Sequence, residues 1–251
     1  MESVPVNVTL QAALKTALGI ILLPGCCLFG QRMRDFKTRR PMAAGSALVV
    51  GFVGGFEHWD DPHRGVRKIA LNIERMQLRG VHIETAENHR IGTALQFIRA
   101  AIDADGDGQL EKKERANARI VLYGQSWGGA AAIKVARELQ DWGVPVLLTV
   151  QVDSVGWNDQ VIPANVHSAA NFYQHDPLTI QGRNVIRAED PQRTRIIGNI
   201  QMTYLLRPYN SLSEADSSWI RRVFGGSHAK MEVDPIVWMS VQALILHAIA
   251  E

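Results

Sequence analysis

From residue 41 onward, the hydrophobic positions of the chain change repeatedly between a strand-like and a helix-like pattern. Continuous apolar or β-branched runs predict buried strands, and apolar positions three and four residues apart predict helices. Strands are predicted for SALVVGFVGGF (46–56), VHIETAEN (81–88), RIVLYGQ (119–125) and VPVLLTVQVDS (144–154). Helices are predicted over 63–80, over 89–102 and directly after Ser126. This alternation predicts an α/β fold with a mostly parallel sheet and helices on both faces.

The first 40 residues follow a different pattern. An apolar run from Thr16 to Phe29 is shorter than a bilayer span and has the length of the apolar part of an export signal. It contains Leu23-Pro24-Gly25-Cys26, which resembles the lipobox of bacterial lipoproteins and implies a lipidated Cys26. The basic stretch QRMRDFKTRR follows, and a basic flank opposes translocation. We expect an exported or lipid-anchored envelope protein, with an uncleaved anchor, a wrongly chosen start or a cytoplasmic location as the alternatives.

Composition and charge limit the number of domains and the kinds of partner that the sequence predicts. The chain has 251 residues, of which 46% are hydrophobic and 21% charged, so residues 41–251 are expected to form one domain with one core. The net charge of +2 and the absence of a Lys/Arg stripe interleaved with aromatic residues argue against a nucleic-acid partner. The only two cysteines are adjacent, so they do not predict a disulfide framework.

The strand RIVLYGQ runs directly into a serine between glycines. Gly124 and Gly128 leave room for a turn sharp enough to expose Ser126, and the following helix presents its N-terminal N–H groups there. Gly124-Gln125-Ser126-Trp127-Gly128 resembles the G-x-S-x-G nucleophile elbow of the α/β-hydrolase superfamily. The resemblance implies an α/β-hydrolase fold in which Ser126 is the nucleophile.

The same resemblance implies an acid and a histidine after the serine. Asp153 ends the strand that follows the elbow helix, as the acid does in a minority of the superfamily. Asp190, after RNVIRAE, is the alternative for the commoner position one strand later. His228 lies in a glycine-rich stretch shortly before a C-terminal helix, where the superfamily carries its histidine on a loop.

The implied oxyanion hole consists of backbone N–H groups. One belongs to Trp127, the residue after the nucleophile. The other is expected in VVGFVGGF, which resembles the superfamily's H-G-x-G-G loop but has no histidine. The donor is therefore Phe52 or Val53, depending on the alignment.

A second motif, DADGDGQLEKKE at 103–114, resembles an EF-hand calcium loop. It has oxygen ligands at the expected positions and a glycine, Gly108, at position 6. The implied ligands are Asp103, Asp105, Asp107, the Gln109 carbonyl, Glu111 and Glu114. A single loop without a second hand is expected to be a structural Ca²⁺ clamp upstream of the nucleophile rather than a sensor.

These motifs together predict a serine hydrolase that cleaves a carboxylic ester or thioester of a small molecule or lipid through an acyl-enzyme on Ser126. The alternative is a non-catalytic calcium-binding envelope lipoprotein that retains the hydrolase fold. The presence of candidate serine, acid and histidine residues argues against this alternative. The stretch between Asp153 and His228, where the superfamily holds its lid and acyl pocket, has no clear element pattern.

Overall fold

A computed structural model describes residues 30–176, 180–204 and 226–251. The predicted export signal and Cys26 lie outside the described residues. From Gln31 onward the described chain belongs to one unit. Its strands are β1 Ala47–Val53, β2 Val81–Glu87, β3 Arg119–Gln125, β4 Val146–Val152, β5 Val161–Ile162, β6 Val166–Gln174, β7 Arg187–Ala188 and β8 Arg195–Met202. Its α-helices are α1 Gly65–Arg75, α2 Ile91–Ile102, α3 Lys112–Asn117, α4 Trp127–Asp141, α5 Gly226–Val233 and α6 Pro235–Ala250.

Six of these strands form one parallel sheet in the order β2-β1-β3-β4-β6-β8. The two short strands β5 and β7 pair separately. The prediction of a parallel α/β fold is confirmed. Because all six strands point the same way, every residue that follows a strand lies at the same edge of the sheet. Ser126 and Asp153 are therefore neighbours by topology.

Alternating side chains of the central strands pack into two separate cores. Leu48, Val50 and Phe52 of β1 face α2 and α4, whose buried positions include Phe97 and Ile133. Val49 and Val53 belong to the opposite core, which includes Ile69 and Ile73 of α1 and Trp238 and Val241 of α6. With both faces covered, the central strands β1, β3 and β4 carry apolar residues on both faces, which explains the near-continuous apolar runs seen in the sequence.

The segment after Gly30, predicted as a basic linker, packs along the outer edge of β2. The Gln31 side chain donates to the Thr85 carbonyl at 2.8 Å and accepts from the Glu87 N–H at 3.3 Å. The Thr38 N–H donates to Glu84 at 2.6 Å. Phe36 stacks on Phe97 with ring centroids 4.1 Å apart. This segment, residues 31–38, thus occupies hydrogen-bonding groups that an edge strand would otherwise expose.

Within residues 30–176, 180–204 and 226–251, no single helix has the length and apolar character needed to cross a membrane. Gly226–Val233 and Pro235–Ala250, bent by 54°, pass that test of length and composition only when taken together.

Candidate active site

Ser126 lies at a strained turn between β3 and α4. Its backbone has φ 55° and ψ −125°, a conformation that residues with a side chain rarely adopt. Its N–H donates to the Val152 carbonyl at 2.9 Å. A Cβ at Gly124 would lie 2.3 Å from the Gly128 carbonyl oxygen, and one at Gly128 would lie 2.0 Å from the Phe52 carbonyl oxygen. The two glycines therefore let the helix approach closely enough for the turn to form.

The residues predicted for the oxyanion hole occupy different positions relative to this turn. Trp127 is the first residue of α4, so its N–H is among the first-turn donors that have no partner within a helix. Phe52 and Val53 are the last residues of β1 and lie in the sheet ladder beside β2. The loop residue next to the serine is Gly54, where a Cβ would lie 3.3 Å from the Ser126 Cβ. Its N–H donates to Glu57 Oε2 at 3.2 Å.

Asp153 follows β4 and is completely buried, with a positive φ of 44°. Its carboxylate accepts hydrogen bonds from three neighbouring residues. Oδ1 accepts from the Gly182 N–H at 2.8 Å, and Oδ2 accepts from the Gln174 side chain at 3.0 Å and from His228 Nδ1 at 2.6 Å. These hydrogen bonds fix the direction of the buried carboxylate. Gln174 and Gly182 are not among the residues predicted from the sequence.

His228 reaches this carboxylate from 75 positions away in the chain. It lies inside helix α5, whereas the sequence pattern predicts a loop at this position. Its side chain is 12% exposed, and its other ring nitrogen, Nε2, lies 3.3 Å from the Gln125 amide nitrogen. In the described part of the chain, Ser126 Oγ has no hydrogen bond to His228.

The alternative acid, Asp190, lies in the turn between β7 and β8, where its carboxylate accepts from the Gln192 N–H at 2.9 Å. It precedes a parallel strand, so it lies at the opposite end of the sheet from Ser126. Asp176, which follows β6, occupies the position one strand beyond Asp153. It is buried and accepts from the Tyr204 N–H at 3.1 Å and from the hydroxyl of Ser227, the residue before His228. Asp176 thus anchors the start of α5.

A partly buried charge cluster connects the Gly54 loop with α5. Arg64, directly before α1, lies 3.3 Å from both Glu57 and Glu232 and 2.8 Å from Asp61. Burial, and next the negative charge of Glu232, raise the pKa of Glu57 to about 9. One guanidinium thus faces three acidic side chains, and the raised pKa of Glu57 favours its protonated form at neutral pH. Asp61 and Arg64 are neighbours in the chain, but Glu232 comes from a distant part of it and has no sequence signal for this contact.

Large apolar side chains are exposed beside the serine. Phe56, in the loop after β1, is 84% exposed, and Trp127 is 44% exposed. Their rings meet edge to face with centroids 5.4 Å apart. Trp157, after Asp153, is 95% exposed. An apolar group bound at Ser126 would therefore find aromatic surface close by.

The EF-hand-like loop connects α2 to α3. One carboxylate oxygen from each of Asp103, Asp105 and Glu114 lies within 4.8 Å of the others. Asp103 is 5% exposed, and its two oxygens accept from the N–H groups of Gly106 at 2.9 Å and Gly108 at 2.8 Å. Helix α3 begins at Lys112, position 10 of the loop.

The other predicted calcium ligands lie outside this three-residue group. The Asp107 carboxylate accepts from the Gln109 N–H at 2.7 Å, and Glu111 precedes α3 as its N-cap residue. The structure therefore brings together three of the six predicted ligands, one of them buried. Carboxylate oxygens are ligands that a hard cation such as Ca²⁺ binds, and Ca²⁺ takes about six to eight oxygens in total.

No family model matches the chain, and no curated protein matches it. Among solved structures, the chain is similar to a cutinase-like protein from Cryptococcus sp., at 13% sequence identity and a TM-score of 0.43. The match covers 84% of this chain and 98% of that one.

Proposed function

We propose that the protein is a serine hydrolase of the α/β-hydrolase superfamily that cleaves carboxylic esters or thioesters. The observation that carries the proposal is the hydrogen bond of 2.6 Å between His228 and the completely buried Asp153. This pair lies at the sheet edge where Ser126 stands on a strained turn. A buried carboxylate, a histidine and a partly exposed serine are the three groups of acyl-transfer catalysis.

Each group has a defined part in the proposed reaction. Asp153 holds the proton on His228 Nδ1, so Nε2 is unprotonated and can accept the proton of Ser126 Oγ. The serine oxygen attacks the acyl carbon, and the negative oxygen is held by the N–H of Trp127 and an N–H of the loop after β1. His228 then protonates the leaving alcohol or thiol. Water hydrolyses the acyl-enzyme by the same proton path in reverse.

The exposed aromatic side chains favour a substrate with an apolar acyl group. The Phe56 ring contacts the ring of Trp127, the residue after Ser126, and the two rings would cover an alkyl or aryl chain attached to the carbonyl. Burying apolar surface contributes about 25 cal/mol per Å². We therefore expect longer p-nitrophenyl acyl esters to bind more tightly than the acetate.

A fluorophosphonate probe tests the hydrolase proposal directly, because it phosphonylates only an activated serine. We expect labelling of the wild type, loss of labelling in Ser126→Ala, and a loss of about 1,000-fold or more in His228→Ala. Ser240→Ala, at a serine of α6 whose hydroxyl donates to the Ile236 carbonyl, serves as the matched control and should keep full labelling. An unlabelled wild type would contradict the proposal and favour a non-catalytic binding protein.

We propose further that residues 103–114 bind one Ca²⁺ as a structural ion. Support comes from the clustered oxygens of Asp103, Asp105 and Glu114 and from the burial of Asp103, whose charge a cation would offset. The ion takes no part in the acyl transfer. It would hold the connection between α2 and β3, the strand that leads into Ser126.

Thermal unfolding with Ca²⁺, with Mg²⁺ and with a chelator tests the calcium proposal. Saturation at 100 times the dissociation constant should stabilise the wild type by about 2.7 kcal/mol relative to chelator. Asp103→Asn should lose this stabilisation, and Asp141→Asn, an exposed substitution of the same kind, should keep it. An unchanged midpoint for the wild type in Ca²⁺ would exclude a structural site.

We also propose that the chain is exported and anchored through Cys26. The support is the sequence Leu23-Pro24-Gly25-Cys26 after an apolar run. The expressed full chain should partition into a Triton X-114 detergent phase, and Cys26→Ser should move it to the aqueous phase, with Cys27→Ser as the control. Equal partition of all three proteins would contradict lipidation.

A further inference from the structure

Gln125, the last residue of β3, lies between the candidate base and the loop after β1. It is 3% exposed. Its amide nitrogen lies 3.3 Å from His228 Nε2. Its amide oxygen points to the other side, where a Cβ at Gly54 would lie only 2.4 Å away. Any residue but glycine at position 54 would therefore force the Gln125 amide to move.

The position of the proton on His228 determines whether Nε2 donates or accepts in its contact with the Gln125 amide. The Asp153 carboxylate can only accept, so the hydrogen bond of 2.6 Å requires a proton on His228 Nδ1. In the neutral ring Nε2 then carries a lone pair and no proton. The Gln125 amide nitrogen is a donor, so its N–H points at that lone pair.

This lone pair is the one that must receive the proton of Ser126. Ser126 Oγ has no hydrogen bond to His228 in the described residues, whereas the Gln125 amide does. The serine hydroxyl and the glutamine amide thus compete for one acceptor. In the described chain, Asp153 is the charged group in contact with the ring, so the amide is the second polar contact that sets the ring's position.

We propose that Gln125 is a positioning residue that occupies the reactive nitrogen of His228 in the resting enzyme and yields it to Ser126 when the acyl group is bound. The proposal rests on the proposed hydrolase function. It assigns a specific role to the second residue of the elbow motif, beyond the small neighbours that the turn requires. In the resting site, Asp153 keeps His228 in the correct tautomer, and the Gln125 amide occupies Nε2 until Ser126 takes its place.

Two variants of Gln125 separate this role from a merely structural one, with the rate of fluorophosphonate labelling measured as a function of pH. In Gln125→Met the competing donor is lost, and we expect labelling on the alkaline plateau to become about three- to tenfold faster. The acid limb of the profile should move to higher pH, because the amide no longer favours the neutral ring.

In Gln125→Glu a carboxylate of the same size faces the ring and favours its protonated form. We expect the acid limb to move up by about one to three pH units, with slow labelling at neutral pH that recovers in alkali. Gln77→Glu adds the same charge at an exposed position and should leave the profile unchanged. If Gln125→Met does not fold, Gln125→Glu provides the test by itself.

Labelling of both variants that slows at every pH, with an unshifted acid limb, would overturn the role of Gln125 and leave a packing function. Unchanged labelling in both variants would overturn it as well. These outcomes are distinguishable from failure of the hydrolase proposal, because that failure shows as a wild type that Ser126→Ala does not alter.

Discussion

Glu57 illustrates at the scale of one residue how the fold creates chemistry that the sequence does not display. In the sequence it is an ordinary glutamate in a polar loop. In the structure it shares Arg64 with Glu232 and also accepts the Gly54 N–H beside the serine. Its raised pKa of about 9 follows from burial first and from the second carboxylate next. It therefore links the loop beside Ser126 to the helix that carries His228.

The raised pKa of Glu57 determines the direction in which the free energy of unfolding changes with pH. An unfolded chain releases the Glu57 proton near 4.5, but the native state holds it to about 9. The native state binds more protons between these values, so its free energy of unfolding falls as pH rises through that window. Glu57→Gln removes this titration, and its stability relative to wild type should rise with pH by at most about 1.4 kcal/mol per unit.

Urea unfolding at several pH values from 4 to 10 measures this difference. The exposed Glu74→Gln provides the control and should follow the wild-type pH dependence. A constant difference between Glu57→Gln and wild type over the whole range would contradict the raised pKa.

The choice of acid shows why single residues are difficult to assign from sequence. The pattern left Asp153 and Asp190 open, and it overlooked Asp176. Only the parallel direction of β8 places Asp190 at the far end of the sheet, and only β6 brings Asp176 beside Ser227. The role of each residue depends on which end of which strand it occupies, and that information is not local.

At the scale of an element, helix α4 depends on close backbone contact at its first turn. Gly128 lies against the carbonyl of Phe52, which is rigid backbone near the carboxyl end of β1. This approach holds Ser126 in its strained conformation and keeps the Trp127 N–H at the carboxyl edge. The helix and the need for glycines at the turn were predicted correctly because the strand, the turn and the helix follow one another directly in the sequence.

Gly128→Ala should therefore distort the start of α4. Its Cβ would meet two backbone oxygens, so we expect a loss of about 1–3 kcal/mol in the free energy of unfolding and slower fluorophosphonate labelling. Gly92→Ala, in the first turn of α2, meets nothing within 4 Å and should gain up to about 1 kcal/mol. Equal stabilities of the two variants in chemical unfolding would contradict this account.

Strand β6 was not predicted from the sequence, and its buried polar residues explain why. Strand β6 is nearly as buried as β4, but Ser168, Asn171 and Gln174 interrupt its apolar run. Asn171 donates to the Arg183 carbonyl at 2.8 Å, and Gln174 donates to Asp153, so both of these polar side chains form hydrogen bonds inside the fold. Strands that carry buried polar side chains for a site lose the hydrophobic pattern by which strands are recognised.

At the scale of the whole molecule, residues 31–38 protect one edge of the sheet. The Gln31 amide pairs with the backbone on both sides of β2 residue Ala86, as a neighbouring strand would. Phe36 anchors the segment on α2. The parallel sheet itself was predictable from the alternation of strands and helices, but this edge contact joins positions 56 apart and has no sequence signal.

Gln31→Ala should leave the Thr85 carbonyl and the Glu87 N–H without their partner. We expect a loss of about 1–2 kcal/mol in the free energy of unfolding and a greater tendency to aggregate through β2. Arg34→Ala, whose side chain is 75% exposed in the same segment, should change neither property. Light scattering and urea unfolding check both, and indistinguishable variants would contradict a protective role.

The all-parallel sheet also determines how the protein reaches its native state. Neighbouring parallel strands cannot be joined by a tight hairpin. Strand β1, for example, pairs with β3, in which Arg119 lies opposite Ala47, so this pairing needs two distant parts of the chain. Folding dominated by such distant contacts is slow, since the chain loses loop entropy before any contact forms. His228 reaches Asp153 from the last part of the chain, so during refolding the reactivity of Ser126 should return only after the sheet is complete.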